Sequence, residues 1–446
     1  VSDAVAAPEP RLWGWGRVPA PGREQRSEDL EALTRDAVLS RGLGRSYGDS
    51  ALPPPSHPVV AGTTLADRIL GFDPATGLLR AEAGLTLREV VRLFLPRGLF
   101  PPVTPGTQYV TLGGMVASDV HGKNHHVDGT IGRHVTALKL RTATGAIVEC
   151  TPERESELFW ATVGGMGLTG HILEVEFPLR RVPSPWILGE TERVPNLEGF
   201  VDGLEAAARE WPMTMGWIDC LSRGASLGRG ILYRGRWATA DEAPRRAPRP
   251  KSRFTVPFVM PEWLLGPLTV RTFNFFNYHQ HVPRVRRGVV HPEAFFYPLD
   301  MLLEWNRLYG PRGFTQYQCV LPRGAGRGAA RRFLDVLSSR GGASFLCVIK
   351  DCGEEGRGLL SFPRPGISIA LDIALRDDTQ ALVDALNEAV IAEGGRVYLT
   401  KDSLTRPEHF RAMEPRLHEF LRVRRKWDPE GRLRSAQSVR LFGDRP

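Results

Sequence analysis

The segment RGLGRSYGD, Arg41 to Asp49, decides how this chain is read. Its three glycines, Gly42, Gly44 and Gly48, surround Leu43, Arg45, Ser46 and Tyr47. They allow positive φ and close backbone approach, so that successive N–H groups can point at an anion such as a pyrophosphate. Arg45 adds a permanent charge with bidentate geometry. The GxGxxxG spacing is one residue longer than the Rossmann fingerprint, and no acidic residue about 20 positions on ends a clear strand, which argues against a nicotinamide enzyme of that fold. Gly44, Ser46 and Gly48 also fit GxSxG, with Ser46 as a hydrolase nucleophile. No HGGG-type loop precedes it, however, and Pro53-Pro54-Pro55 denies it the long helix that a nucleophile elbow needs.

Working outward, two more glycine-rich turns follow. One runs from Pro105-Gly106-Thr107 through Leu112-Gly113-Gly114-Met115 to Ser118-Asp119-Val120-His121-Gly122-Lys123-Asn124-His125-His126. His121, His125 and His126 invite a metal reading, but Gly122 and Asn124 disfavour the helix that would align them and no carboxylate completes a set, so no metal is expected. A loop lining a cofactor or substrate suits the segment better. The other turn is Gly164-Gly165-Met166-Gly167-Leu168-Thr169-Gly170. Three such turns in one domain suit a large, extended cofactor with a pyrophosphate in its middle.

At 446 residues the chain is long enough for two or three domains. With 42% hydrophobic and 24% charged residues it is an ordinary globular protein rather than a disordered or fibrous one. The net charge of +8 is carried mostly by arginine, and its sharper reading is an anionic partner. Nothing resembles a zinc finger, a basic zipper or an aromatic-interleaved basic repeat, so no nucleic acid is expected. Five cysteines, at 150, 220, 319, 347 and 352, have no CxxC spacing and argue against a disulfide scaffold or a structural zinc. The start, Val1 to Pro10, lacks a basic segment followed by an apolar run. A cytoplasmic protein, peripheral to the inner face of a membrane at most, is expected.

Short apolar runs between glycines, such as Leu78 to Ala83 and Val135 to Thr142, predict strands. Thr86 with Glu89 forms a capping box ahead of Leu87, Val90, Val91 and Phe94. Further helices are predicted over 153–162, 378–393 and 407–425. The prolines around Val182 to Pro185 mark a boundary. This gives a cofactor-binding first domain over 1–182, a substrate domain over 183–395 and a C-terminal segment, 396–446, that returns to the first. Residues 241–253, DEAPRRAPRPKSR, read as a mobile basic loop. The apolar stretch Phe254 to Phe276 reads either as core or as a lip touching lipid.

The segments RGLGRSYGDSAL (41–52), PVTPGTQYVTLGGMVASDVHGKNHH (102–126), ELFWATVGGMGLTG (157–170), EWNRLYGPRGFTQYQ (304–318) and YLTKDS (398–403) resemble the flavoenzymes with the fold of vanillyl-alcohol oxidase and p-cresol methylhydroxylase. The resemblance runs from about Trp13 to Phe442. It implies a two-domain α+β fold with the substrate domain inserted. It implies FAD beside Gly42, Leu43, Gly44, Arg45, Ser46, Tyr47, Gly48, Thr107, Gly113, Gly114, Ser118, His121, Gly122, Asn124, Gly165 and Gly167, with Ile172 and Tyr398 closing around the ring system. Many relatives hold flavin covalently through a histidine just after GxG; Arg45 stands there, which implies a non-covalent flavin.

Within that family the resemblance points to oxidation of a polyprenyl-phosphoryl pentose like decaprenylphosphoryl-ribose. The 2'-hydroxyl carbon gives a hydride to flavin N5, and a partner NAD(P)H-dependent reductase returns the 2'-keto sugar as its epimer. Lys401 and His121 are the expected catalytic residues, with Lys401 either the base that takes the hydroxyl proton or a cationic support, the bland alternative being a surface salt bridge to Asp402. As a base it needs burial or a nearby cation to lower its pKa. Lys123, Gln316, Gln318, Lys350 and Lys401 are expected on the substrate side. Ala370 stands where some members carry a reactive cysteine, and with Ser368 it bears on which sugar or lipid is used. The alternatives are a soluble sugar-alcohol or aldonolactone oxidase using oxygen, and a flavin-binding scaffold without catalysis.

Overall fold

Three larger sheets, of three, five and eight strands, order the chain. The computed structural model describes residues 10–249, 253–342 and 344–446; the opening of the chain to residue 9, and residues 250–252 of the basic run, lie outside the described residues. A parallel sheet of β1 (Arg23–Arg26), β2 (Ser40–Arg41) and β3 (Val59–Gly62) has β3 at its centre. RGLGRSYGD leaves the end of β2, where the backbone passes from a ladder into a turn.

An antiparallel sheet follows, of β4 (Ile69–Phe72), β5 (Leu78–Glu82), β6 (Ala137–Arg141), β7 (Ile147–Cys150) and β8 (His171–Pro178), in the order β7-β6-β8-β5-β4. The helix α1 (Leu87–Phe94) buries Leu87, Val90, Val91 and Phe94 on this layer, at roughly 1.5–3 kcal/mol for each large side chain. Thr86 caps it by accepting from the Glu89 N–H at 3.2 Å. The reciprocal half of the expected capping box is missing, because the Glu89 carboxylate pairs with Arg92 one turn on. The short helices α2 (Leu112–Ala117) and α3 (Ser156–Thr162) complete the layer. α3 begins later than the predicted 153 because Glu155 sits at φ +50° and Thr151 closes a turn over residues 153 and 154.

The third sheet holds β9 (Ile187–Val194), β10 (Met213–Ile218), β11 (Gly230–Trp237), β12 (Val285–Val290), β13 (Phe314–Pro322), β14 (Cys347–Cys352), β15 (Gly366–Ala374) and β16 (Arg396–Val397), in the order β12-β9-β11-β10-β14-β15-β13-β16. α4 (Leu197–Glu210), α6 (Gly328–Ser339) and α7 (Thr379–Ala392) cover its back, with Phe200, Leu204, Phe333, Leu337, Leu386 and Val390 fully buried. Among the helices numbered in chain order, α5 (Pro267–His279) stands apart: only Val270 and Asn274 are buried.

The helix predicted over 407–425 is two helices, α8 (Pro407–Met413) and α9 (Leu417–Trp427), because Pro415 has no N–H to continue the first. With α10 (Ala436–Phe442) they pack back on the first layer, where Phe410, Phe420, Val423 and Leu441 meet Ala161, Met166 and Leu168. The described part of the basic run is tied down. Glu242 takes a two-pronged pair from Arg236, Trp186 Nε1 donates to the Arg246 carbonyl, and the His291 ring bonds that of Arg249. The stretch after it is not core: Phe254, Phe258, Trp263, Leu268 and Phe276 are all exposed.

Candidate active site

Between the first two layers and the open face of the third sheet lies a cavity of about 920 Å³, within the size range of cofactor and ligand sites. The turn after β2 forms one wall. Gly44 stands at φ +62°, and a Cβ there would sit 2.2 Å from the Arg41 guanidinium. Arg41 cannot move aside, since it donates to the Ala51 and Trp13 carbonyls at 2.8 and 2.6 Å. Gly42, Leu43, Gly44, Arg45, Ser46 and Tyr47 all line the cavity, as do Thr107, Gly113, Gly114, Ser118, Gly167, Ile172 and Tyr398.

Four expected cofactor residues lie behind the wall instead. Gly48 leaves room for the Asp402 carbonyl, which a Cβ would approach to 1.9 Å; Gly122 packs on Thr104, and Gly165 on the Ala161 carbonyl. Asn124 spends its amide on the Pro102 carbonyl and Asp128. These contacts let neighbouring segments close on the wall. The hydrolase alternative fails here too, because among the described residues no histidine bonds the Ser46 hydroxyl.

Arg45 lies 4.0 Å above the Trp15 ring and 5.3 Å from that of Tyr109. Its Nε is buried without a partner, and burial pulls its pKa down against the charges of Glu304 and Asp300. The three histidines go separate ways. Gln318 Nε2 donates to His121 Nε2 at 3.1 Å, Gly353 N–H donates to His125 Nδ1, and His126 bonds the Trp211 carbonyl. No group of residues suited to a metal ion occurs among the described residues. His121 is held neutral, its pKa well below the usual value from burial, Lys350, His125 and Lys401. With Nε2 accepting, Nδ1 carries the proton. That atom is buried and has no partner, on a ring that lines the cavity.

Three lysines reach this end. Lys123 donates to the Phe296 carbonyl at 2.9 Å, and burial with Lys350 takes its pKa down to about 7. Lys350 is lowered by burial. Lys401 places Nζ 4.0 Å over the Tyr47 ring; burial brings it to about 7, with Asp372 raising it and Lys350 lowering it. It is not in a surface salt bridge with Asp402, which instead pairs with Arg440 at 2.8 Å and accepts from the Leu404 and Thr405 N–H groups. Gln316 and Gln318 of β13 and Ala370 of β15 line the same region, and Ser368 accepts from Gln318. The sequence reading missed Asp372, though a lone carboxylate inside the apolar run ISIALDIAL was a visible signal.

A buried unpartnered arginine, an orphaned His121 N–H and a wall of glycines fit an anionic, planar cofactor. Residues 31–151 match the family of FAD-binding domains. The fold and the cavity define an FAD-dependent oxidoreductase of the vanillyl-alcohol oxidase and p-cresol methylhydroxylase type, an enzyme acting on CH–OH groups. The chain is 36% identical to decaprenylphosphoryl-β-D-ribose oxidase of Mycolicibacterium smegmatis over 97% of both chains, and it belongs to that family. It is 33% identical to a Streptomyces coelicolor protein named only as uncharacterized, in the mprA 5' region, over 80% of this chain and all of that one. Human Δ(24)-sterol reductase is 30% identical over 26% of this chain and 22% of its own.

The buried lysines make stability pH-dependent. Unfolded, Lys401 titrates near ~10.4; folded, near about 7. Between these values the unfolded chain binds more protons, so stability climbs as pH rises through the window and is lowest below it. Lys401→Met is expected to flatten that climb and raise stability at pH 7, measured by urea unfolding across pH.

Proposed function

We propose that this enzyme oxidises the 2'-hydroxyl of a polyprenyl-phosphoryl pentose resembling decaprenylphosphoryl-ribose to the 2'-keto sugar. The observation that carries the reading is Lys401, a half-buried lysine at the cavity wall, its amine over the Tyr47 ring, whose pKa of about 7 lets it accept a proton at neutral pH. FAD, when bound, supplies the hydride acceptor. Lys401 Nζ takes the hydroxyl proton as the C2'–H leaves as hydride, and the carbonyl double bond forms from the O–H pair. His121 contributes its Nδ1–H as a neutral donor, and Gln318 keeps that tautomer in place. Lys123 and Lys350 supply positive charge for the substrate phosphate.

The flavin is held without a covalent bond, because Arg45 occupies the position where relatives attach it. The keto product requires a reductase partner, NAD(P)H-dependent, to return it as the epimer. The oxygen-using polyol oxidase is less well supported, since three buried lysines exceed what an uncharged sugar needs.

A prenyl tail has to be drawn from a bilayer. The chain has no helix among the described residues long and apolar enough to cross a membrane, so a peripheral contact is proposed. Phe273 and Asn277 of α5 line the cavity, while Leu268, Phe275 and Phe276 of the same helix face outward beside Trp263 and Val282. Residues 253–290 carry five arginines, at 253, 271, 284, 286 and 287, against one acid, Glu262. Aromatic and aliphatic groups set among cations suit an anionic lipid surface. The described part of the 241–253 run packs back on the protein, so the contact is assigned to this exposed segment.

Two measurements follow from this. Lys401→Ala is expected to slow single-turnover flavin reduction ~100-fold or more, the usual worth of a general base; a loss of a few-fold assigns it support instead. Trp263→Ser, Leu268→Ser and Phe276→Ser are each expected to weaken partitioning onto phosphatidylglycerol vesicles about tenfold. Unchanged partitioning excludes the α5 surface as the contact.

A further inference from the structure

Asp372 lies on β15 directly across from Gln316 of β13, and it is 1% exposed. Its Oδ1 accepts from Gln316 Nε2 at 2.6 Å and its Oδ2 from the Tyr309 hydroxyl at 2.7 Å. No cation touches it. A buried carboxylate held only by neutral donors is costly compared with an apolar residue, so this position calls for a role beyond packing. Asp372 does not line the cavity, but Gln316 and Lys401 do.

Two routes connect it to the reacting end. The first is the Gln316 amide, which can in principle point either way. An ionised carboxylate only accepts, so it holds the amide nitrogen, and the Gln316 side chain also bonds Tyr47, whose ring lies under the Lys401 amine. The second runs through stacked rings. Tyr309 lies on Phe314 with centroids 4.0 Å apart, Phe314 meets Tyr47 at 5.4 Å, and the Tyr47 ring carries the Lys401 ammonium.

We propose that Asp372 is a positioning residue for the oxidation: it fixes the Gln316 amide and supplies the negative charge against which Lys401 exchanges its proton. This rests on the reading of Lys401 as the base. The other groups around Lys401 cannot serve. Lys350 on β14 repels it, His121 is neutral, Tyr47 is held protonated by burial, and Asp402 is taken by Arg440. Asp372 is the influence that raises Lys401 against burial; burial in turn pushes Asp372 up to about 6, opposed by the Tyr309 and Gln316 hydrogen bonds and by Lys401.

Asp372→Asn keeps the shape and removes the charge. Its amide also cannot accept from both donors, which frees Gln316 to turn. The test is the pH profile of single-turnover flavin reduction by a short-chain prenyl-phosphoryl ribose. The rising limb is expected to move to lower pH by about one unit or more, the substrate Kd to rise, and Asp372→Glu to restore the limb. A second readout needs no turnover: acetic anhydride labelling of the Lys401 amine in the holoenzyme across pH, followed by peptide mass spectrometry. Its midpoint is expected to fall in Asp372→Asn and, by less, in Tyr309→Phe, which keeps the carboxylate but removes one donor that holds it ionised. A labelling midpoint unmoved in the folded variants overturns the proposal. Failure of the wild type to be reduced would instead count against the substrate reading, while the labelling result still decides the link between Asp372 and Lys401.

Discussion

The site depends on the seam where the turn after β2 meets the segment leaving β16. Tyr47 N–H donates to the Thr400 carbonyl at 2.9 Å, and Gly48 has no side chain because the Asp402 carbonyl fills its place. Arg440 of α10 then bridges Asp49 from one side and Asp402 from the other, both at 2.8 Å, and donates to the Thr405 carbonyl. Gln437 of the same helix holds the Leu399 carbonyl. Residues nearly 400 positions apart are thereby registered to each other, and Lys401 is set on the Tyr47 ring. Partly buried charges joined this way are expensive to separate, since removal of the arginine leaves two carboxylates without a counter-charge.

From that seam the electrostatics of the cavity follow. Lys123 is buried and Lys350 and Lys401 half-buried at one end, with no ion pair to a carboxylate among the described residues, and Arg45 is half-buried against aromatic rings farther along. Cations withdrawn from water without counter-ions cost free energy, which an anionic ligand offsets. The arrangement suits contents that are themselves negative, a pyrophosphate-bearing cofactor and a phosphate-bearing substrate. The same desolvation lowers the lysine pKa values to the range where proton exchange at neutral pH is possible. The charge that binds and the base that reacts thus have one physical cause.

Much of this was legible in the sequence because glycine and charge are punctuation that survives without tertiary context. RGLGRSYG, VHGKNHH and YLTKDS each announced part of the cavity wall, and of the covering helices α7 announced itself by apolar spacing. Other features were set by partners far along the chain. Gly48 and Gly122 read as cofactor contacts, but each also gives room to a carbonyl from another segment, which no local pattern reports. Glu89 matched a capping box, yet Arg92 competed for it one turn away. The 241–253 run had the composition of a mobile loop, but its described part is held by Arg236, Trp186 and His291. Arg440 looked like one surface arginine among many. Asp372 alone had left a trace, a charge where a buried strand should have none.

The most direct test is anaerobic reduction of the bound flavin by farnesyl-phosphoryl-β-D-ribose carrying hydrogen or deuterium at C2'. The account predicts bleaching of the flavin band by the phosphoryl lipid and not by free ribose, slowed severalfold by the deuterium. A flavin that stays oxidised, or a rate indifferent to the isotope, would contradict oxidation at that carbon.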